Sequence, residues 1–262
     1  MSIVVSGLTY GYGEGKLALD HVDFSARDGQ VTSVIGSNGA GKTTLLKCVL
    51  GIRSGWTGRI MVDGTDVRTL SRKALSRQLA YVPQISYPTF NYPCVEMVLM
   101  GANNRVGALG SPGAREREEA LATMDGLGIA SLADRLFLEV SGGERQLVLV
   151  ARSLMQKAKN LLLDEPVANL DLGNQIKVLE EVSHLAEQGY AVVMTTHNPE
   201  QAYQYSSSIA VFKDGRLFSQ GTPQEVMTEG MIKSVYGVDV RMESLYDDAI
   251  RVCVHRKQGE EK

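Results

Sequence analysis

The sequence has few cysteines and no long apolar run. Its 262 residues include three cysteines, Cys48, Cys94 and Cys253, which lie far apart and form no C-x-x-C pair. Such spacing disfavours a disulfide scaffold or a zinc site and suits a reducing compartment. No segment approaches the run of about 18 apolar residues that crosses a bilayer, and the first residues lack the basic and apolar parts of a signal peptide. We therefore expect a soluble, cytoplasmic polypeptide whose membrane association would require a protein partner.

Neither sign of charge is in large excess. Lys and Arg together number 27, and Asp and Glu number 30, which gives a formal net charge of −3. This balance provides no overall attraction to DNA or RNA, so we expect no nucleic-acid partner. The length and a hydrophobic content of 44% are enough for one large α/β domain, or for a core domain with an inserted lobe.

A glycine-rich loop lies between an apolar run, residues 31–35, and a leucine-rich segment. It fits the pattern G-x-x-x-x-G-K-[ST], in which backbone N–H groups turn onto a phosphate and the next helix adds its positive end. An ordinary glycine-rich turn is the alternative, but the passage from strand to helix favours a phosphate-binding loop. Lys42 would reach the β- and γ-phosphates, and Thr43 would bind Mg²⁺. The residues predicted to contact nucleotide here are Gly36, Ser37, Asn38, Gly39, Ala40, Gly41, Lys42, Thr43 and Thr44.

Two acidic residues follow a short apolar strand predicted at residues 160–163. Strands of a parallel sheet end at the ligand crevice, so Asp164 would hold Mg²⁺ and Glu165 could orient an attacking water. His197 lies just after the end of the next apolar strand, residues 190–195, and could reach the γ-phosphate. A surface acidic pair and a structural histidine are the alternatives. Because the chain also has a phosphate-binding loop, both of these alternatives are less favoured than a role at the nucleotide.

Three further positions have a functional and an ordinary interpretation. Ser141 precedes Gly142 and Gly143 at the start of a helix, which indicates a second anion-binding turn or simply a capping box with Glu144. Gln84 follows an apolar strand and could equally be a solvated loop residue. Tyr12 lies on a glycine-rich turn, where an aromatic side chain can bind a ligand or pack on the surface.

The remaining pattern indicates how the chain is organised. Residues 3–10 and 18–26 alternate as antiparallel strands do, and the stretch 86–140 reads as a helical insertion. Residues 85–93 are rich in proline and aromatic side chains, which is typical of a contact surface. A helix from Gln224 and a hairpin within 241–254 are expected near the end.

Taken together, these motifs resemble the ATP-binding cassette (ABC) family over nearly the whole chain. The resemblance implies an α/β fold with a P-loop NTPase core and a mostly parallel sheet, an N-terminal antiparallel β subdomain and an inserted helical subdomain. It implies one ABC ATPase domain over 1–262, with 1–85 and 141–262 as the core, about 86–140 helical, and about 222–262 as a C-terminal extension. ATP and Mg²⁺ would be its cofactors.

The same resemblance implies individual roles. Tyr12 would stack on adenine, and residues 36–43 are Walker A. Gln84 would sense Mg²⁺ and the γ-phosphate, and Asp164 with Glu165 matches Walker B and its catalytic carboxylate. The remaining matches are the signature motif at Ser141, Gly142, Gly143 and Gln146, the D-loop at Asp171 and the switch histidine at His197.

In this family, the signature motif of one subunit closes over ATP held by another subunit. The resemblance therefore implies a homodimer, and a lone chain that hydrolyses ATP poorly. Val140, Val167-Ala168 and Asn198 depart mildly from the usual motifs and leave the hydrolytic residues intact.

Residues 70–84 and 95–101 are similar to the subfamily that energises import of ferric siderophores, haem and cobalamin. That similarity implies permease subunits that contact about Ile85–Met100, an extracytoplasmic substrate-binding protein, and a peripheral position at the cytoplasmic face of the membrane. An exporter ATPase is the first alternative, but residues 137–139 lack the expected Gly-Glu loop. A soluble ABC protein of translation or DNA repair is the second, and the sequence shows neither a second cassette nor a coiled-coil insertion.

Overall fold

The computed structural model describes residues 2–13, 15–84, 90–105, 111–248 and 250–255. The strands are β1 (Ile3–Gly11), β2 (Leu17–Ala26), β3 (Val31–Gly36), β4 (Thr57–Val62), β5 (Thr65–Asp66), β6 (Leu79–Val82), β7 (Asn160–Asp164), β8 (Ala191–Thr195), β9 (Ser208–Lys213), β10 (Arg216–Gly221), β11 (Val240–Leu245) and β12 (Ile250–His255). The helices are α1 (Lys42–Val49), α2 (Arg72–Leu75), α3 (Cys94–Leu99), α4 (Ala114–Gly126), α5 (Gly142–Leu154), α6 (Leu172–Glu187), α7 (Pro199–Tyr205), α8 (Pro223–Val226) and α9 (Glu229–Tyr236). Short 3-10 helices occupy Val67–Thr69, Met100–Asn104, Ala130–Leu132 and Phe137–Glu139.

The larger sheet has the strand order β10-β9-β3-β8-β7-β6. Its neighbours pair in parallel, except that β10 runs antiparallel to β9. Every residue of β3, β7 and β8 is buried, as expected for strands covered on both faces, and this explains their continuous apolar runs. The carboxyl ends of β3, β8, β7 and β6 therefore share one edge of the sheet. The mostly parallel sheet expected from the sequence is confirmed.

A second sheet, of order β2-β1-β4-β5, is antiparallel throughout. Gly58, at φ 91°, allows β4 to approach β1 closely, since a Cβ at this position would overlap the backbone of Gly7. The predicted N-terminal antiparallel β part is thus confirmed.

The apolar core lies on both faces of the larger sheet, because successive side chains of a strand point in opposite directions. Leu162 and Val193 face α1 and the antiparallel sheet. Leu161 and Leu163 face a cluster that includes α5, α6 and the helices between 94 and 133. A third cluster joins α7, α8 and α9 to β3 and β9. The P-loop strand is therefore held on either side by packed helices.

The helices after residue 90 pack closely on α5. At Gly101, within the 3-10 helix that follows α3, a Cβ would overlap the carbonyl oxygen of Arg152 in α5. Arg117 of α4 also donates to Glu96 of α3 at 2.7 Å. The two helices before the signature motif and α5 thus form one packed unit.

The chain after β10 differs in part from the expectation. Instead of one helix from Gln224, two short helices form, because the side chain of Thr228 accepts a hydrogen bond from Met231 N at 3.1 Å and starts a new helix. The predicted terminal hairpin is present as β11 and β12. Across the described ranges, every helix is too short or too polar to cross a bilayer.

Candidate active site

At two positions of the P-loop, both the backbone conformation and the lack of space favour glycine. Gly36 and Gly41 have φ values of 150° and 105°, in the region that favours glycine. A Cβ on Gly36 would overlap the carbonyl oxygen of Phe212, and one on Gly41 would lie 2.6 Å from the carbonyl oxygen of Ala18. Neighbouring strands therefore hold the loop tightly. Its position at the start of α1 directs backbone N–H groups and the positive helix end to the same place.

Lys42 folds back into this loop. Its Nζ donates to the carbonyl oxygens of Gly36 at 2.8 Å and Ser37 at 3.2 Å, and the residue is buried. Burial lowers the pKa of Lys42, while the nearby carboxylates of Glu165 and Asp164 oppose that change. A cation among backbone N–H donors is the arrangement that suits a polyphosphate.

Asp164, at the end of β7, lies against the start of α1. Its Oδ1 accepts from the hydroxyls of Thr43 at 2.9 Å and Thr195 at 2.8 Å, and its Oδ2 accepts from Tyr81 at 3.3 Å. Burial raises the pKa of Tyr81, and Asp164 raises it further, so this hydroxyl remains a donor. Mg²⁺ beside a nucleotide takes one or two protein oxygens together with phosphate and water. The Thr43 hydroxyl and Asp164 carboxylate fit that requirement.

The three residues with predicted catalytic roles meet at one carboxylate oxygen. Gln84 Nε2 donates to Glu165 Oε2 at 2.7 Å, and His197 Nδ1 lies 3.6 Å from the same oxygen. They come together because β6, β7 and β8 are parallel neighbours and end at one edge of the sheet. Their catalytic roles remain predictions, but their placement suits a group that orients water.

Tyr12 lies beside the first turn of α1. Its hydroxyl is 3.0 Å from Thr44 Oγ1, the guanidinium of Arg53 lies 5.0 Å from its ring centre, and Tyr10 contacts the ring edge-on. The residue is 58% exposed, so the ring has free surface beside the phosphate-binding loop. This position is compatible with the predicted contact to an adenine ring.

A second group of predicted site residues lies at the adjoining N-termini of α5 and α6. It consists of Ser141, Gly142, Gly143, Gln146 and Asp171. Ser141 caps α5 through a reciprocal pair, because Ser141 N donates to Glu144 Oε2 at 2.7 Å and Glu144 N donates to Ser141 Oγ at 3.3 Å. The capping box considered above is thus present together with the paired glycines. Gln146 is buried, and its Nε2 has no hydrogen-bond partner in the described part of the chain.

Asp171 caps α6 and is hydrogen-bonded within that helix start. Its carboxylate accepts from Asn174 N at 2.9 Å and from Asn174 Nδ2 at 2.7 Å, and these backbone and side-chain hydrogen bonds lower the pKa of Asp171. A Cβ on Gly143 would overlap the side chain of Asn174. Within the described residues, no hydrogen bond or ion pair joins this second group to the P-loop.

Three residues that touch the site are not among those predicted from the sequence. Thr195 and Tyr81 hold the Asp164 carboxylate, and Arg53 lies over Tyr12. Thr195 and Tyr81 belong to strands whose ends carry predicted site residues, so the polar side chains near those ends were the available signal. The sequence contains no comparable signal for Arg53.

A strand, a glycine loop around a buried lysine, and a second strand of the same parallel sheet that is followed by an Asp-Glu pair define a P-loop nucleoside triphosphatase. A family model described as "ABC transporter" matches residues 19–168. The chain belongs to the ABC transporter family, as its motifs implied, and it therefore carries an ATP-binding ABC ATPase domain from which ATP hydrolysis is expected.

Known proteins of this family resemble nearly the whole chain. A "Probable iron chelatin transport ATP-binding protein" of Helicobacter pylori is 34% identical over 95% of this chain and 97% of its own length. A "Cobalamin import ATP-binding protein" of Halobacterium salinarum is 38% identical over 92% of this chain and 60% of its own length. Among solved structures, "a putative metal-chelate type ABC transporter" in an inward-facing conformation matches with a TM-score of 0.86 and 29% identity, over 98% of each chain.

Proposed function

We propose that this chain is the ATP-hydrolysing subunit of a membrane importer for metal chelates of the iron-siderophore, haem or cobalamin type. The hydrolytic part rests on Glu165, whose carboxylate is held by Gln84 and lies next to His197 at the edge where the P-loop begins. The substrate class rests on the names of relatives that cover nearly all of this chain.

Hydrolysis of ATP needs positioning and charge neutralisation more than covalent help from the protein. Lys42 contacts the β- and γ-phosphates, and the loop N–H groups hold them in place. Thr43 and Asp164 would hold Mg²⁺, which would supply neutralisation of the phosphate charge. Glu165 accepts a hydrogen bond from the attacking water and so orients it in line with the γ-phosphate. Gln84 and His197 fix that carboxylate and face the γ-phosphate.

The complete site is formed by two copies of the chain. Within the described residues, no hydrogen bond or ion pair joins the P-loop to the residues at the N-termini of α5 and α6. In the homodimer, Ser141, Gly142 and Gly143 of one copy cover ATP held by the other copy, and Gln146 supports them. Asp171 lies at the same contact. The single chain therefore binds ATP but hydrolyses it slowly.

Permease subunits dock on the region Ile85–Met100, and the ATPase is thereby held at the cytoplasmic face of the membrane. Residues 85–89 of this region lie outside the described residues. Phe90, Tyr92 and Met100 are exposed large apolar side chains, which supports a protein contact here. An extracytoplasmic binding protein supplies the chelate to the permease.

Replacement of Glu165 by Gln tests the proposed chemistry. We expect Glu165→Gln to retain ATP affinity within about threefold and to lose turnover by 100-fold or more, since an amide is a poor acceptor for the water proton. Gel filtration with MgATP should show a stable dimer. The matched control is Glu180→Gln, at an exposed position of α6. Undiminished turnover in Glu165→Gln would refute the proposed role.

The substrate class needs a separate experiment. Cells that lack this chain should lose uptake of one labelled chelate among a ferric siderophore, haem and cobalamin, and the intact gene should restore it. Unchanged uptake of all three would exclude this class of importer while leaving the ATPase assignment intact.

A further inference from the structure

Thr195, the last residue of β8, touches both carboxylate-bearing residues of the site. Its hydroxyl donates to Asp164 Oδ1 at 2.8 Å and accepts from the backbone N–H of Glu165, also at 2.8 Å. The side chain is fully buried. Thr195 is also the ladder partner of Asp164 in the parallel pair of β7 and β8. The register of the sheet thus fixes this threonine between the two acidic residues.

Glu165 needs such support because its backbone is unusual. Its φ is 48°, in the left-handed region that a residue with a side chain rarely adopts. Conformations of this kind persist only where surrounding contacts hold them. The hydrogen bond from Glu165 N to Thr195 Oγ1 is one such contact, and the bond from Ala168 N to Glu165 O, at 3.1 Å, is another. The direction of the Glu165 side chain depends on this turn.

The same hydroxyl orients Asp164. Two hydroxyl donors, from Thr43 and Thr195, bind Oδ1, whereas among the described residues Oδ2 accepts a single, longer bond from Tyr81. Loss of the Thr195 hydroxyl would remove one of the two bonds that hold Oδ1.

We infer that Thr195 is a positioning residue that fixes Asp164 and Glu165 relative to one another, so that ATP turnover depends on this fully buried hydroxyl. The inference rests on the proposed function, in which these two carboxylates act in hydrolysis. Polar groups that orient metal-binding and reacting side chains typically change activity by about 10–100-fold when removed.

The sheet offers a closely matched control. Thr32 lies on β3, the strand next to β8, and is also fully buried. Its Oγ1 has no hydrogen-bond partner among the described residues. Thr195→Val and Thr32→Val therefore make the same change in shape in the same sheet, but only the first removes hydrogen bonds to the site. Thr195→Ser retains the hydroxyl.

In steady-state assays of the full-length chain, we expect Thr195→Val to lower kcat by about 10–100-fold. The KM for ATP, and the affinity for ATP measured in the absence of Mg²⁺, should stay within about threefold of the original values. Thr195→Ser should retain kcat within about threefold, and Thr32→Val should leave it unchanged. A merely structural role would not separate kcat from nucleotide affinity in this way.

Amide hydrogen exchange provides a readout that does not depend on activity. In the nucleotide-free chain, the Glu165 amide should exchange at least tenfold faster in Thr195→Val than in the original or in Thr32→Val, because it has lost its acceptor. If the valine variants do not fold, Thr195→Ala and Thr32→Ala replace them in the same comparison.

The outcomes separate this inference from the proposed function. A Thr195→Val chain with original kcat and a protected Glu165 amide overturns the inference, provided that Glu165→Gln is inactive. An equal loss of kcat in Thr32→Val also overturns it, because the effect would then come from repacking of the sheet. Full turnover by Glu165→Gln refutes the proposed function itself.

Discussion

Two glycines of the P-loop differ in their surroundings, although both have positive φ. Gly36, at 150°, lies against the backbone of Phe212, whereas Gly39, at 78°, has no atom within 4 Å of the position that a Cβ would occupy. Conformation alone therefore restricts Gly39, and both conformation and space restrict Gly36.

This difference predicts unequal losses of stability. Gly36→Ala must displace the backbone of β9, and we expect it to reduce the free energy of unfolding by about 3 kcal/mol or more. Gly39→Ala carries only left-handed strain, roughly 1–2 kcal/mol. Urea unfolding of the two variants measures the difference. Equal losses would show that the contact between β3 and β9 yields easily.

The three cysteines are expected to differ in reactivity. Burial raises the pKa of the Cys48 thiol to about 11. At pH 9, about 1% of that thiol is ionised, compared with half of a thiol at the ordinary value of 9.0. Cys94 is also buried, whereas Cys253 is half-buried, and burial raises the pKa of both thiols.

We therefore expect Cys253 to react first with a thiol reagent at pH 8–9, with Cys48 and Cys94 reacting fully only after denaturation. Cys253→Ser should abolish the early reaction. An early reaction that persists in this variant would contradict the burial of Cys48 or Cys94.

At the scale of elements, close packing of the helices depends on one small residue. A Cβ at Gly101 would overlap the carbonyl oxygen of Arg152 and lie 2.8 Å from Met155 Cβ, so the segment after α3 could not stay against α5. Gly126, at the end of α4, is also helical, but no atom lies within 4 Å of its Cβ position.

Gly101→Ala should therefore destabilise the chain by about 2–3 kcal/mol, because backbone atoms must move apart. Gly126→Ala should be neutral or add up to about 1 kcal/mol, since alanine restricts the unfolded chain and favours helix. Thermal unfolding tests both. A stable Gly101→Ala chain would mean that the 3-10 helix can separate from α5 at little cost.

Local sequence signals also decide where elements start. The spacing of Ser141 and Glu144 predicts the start of α5, and the structure shows that capping box. Thr228 has an equally local effect, because it starts a second helix. The apolar pattern alone predicted one continuous helix from Gln224 across this position. A side chain that can cap a helix does so only where the chain direction leaves backbone N–H groups free, and tertiary packing sets that direction.

At the scale of the whole molecule, the proposed dimer depends on the helix start at Ser141. In the Glu165→Gln background, Ser141→Arg should retain ATP binding but elute as a monomer in MgATP, because the added side chain fills the surface that covers the partner's nucleotide. Ser71→Arg is the matched control, since Ser71 likewise caps a helix, α2, through Ala74 N. Dimers of equal stability in both variants would contradict the proposed contact.

Sequence patterns were sufficient to predict the phosphate-binding loop, the acidic pair at 164–165 and the histidine at 197, because each belongs to a short pattern at the end of an apolar strand. They were also sufficient to predict the mixed α/β class. The order of the strands in the sheet, by contrast, is known from the folded structure alone: β8 lies between β3 and β7, although β7 precedes it in the chain. This order places Thr195 between Asp164 and Glu165. Folding also brings Arg53 over the ring of Tyr12. Contacts of this kind join residues far apart in the chain, and local spacing carries no information about them.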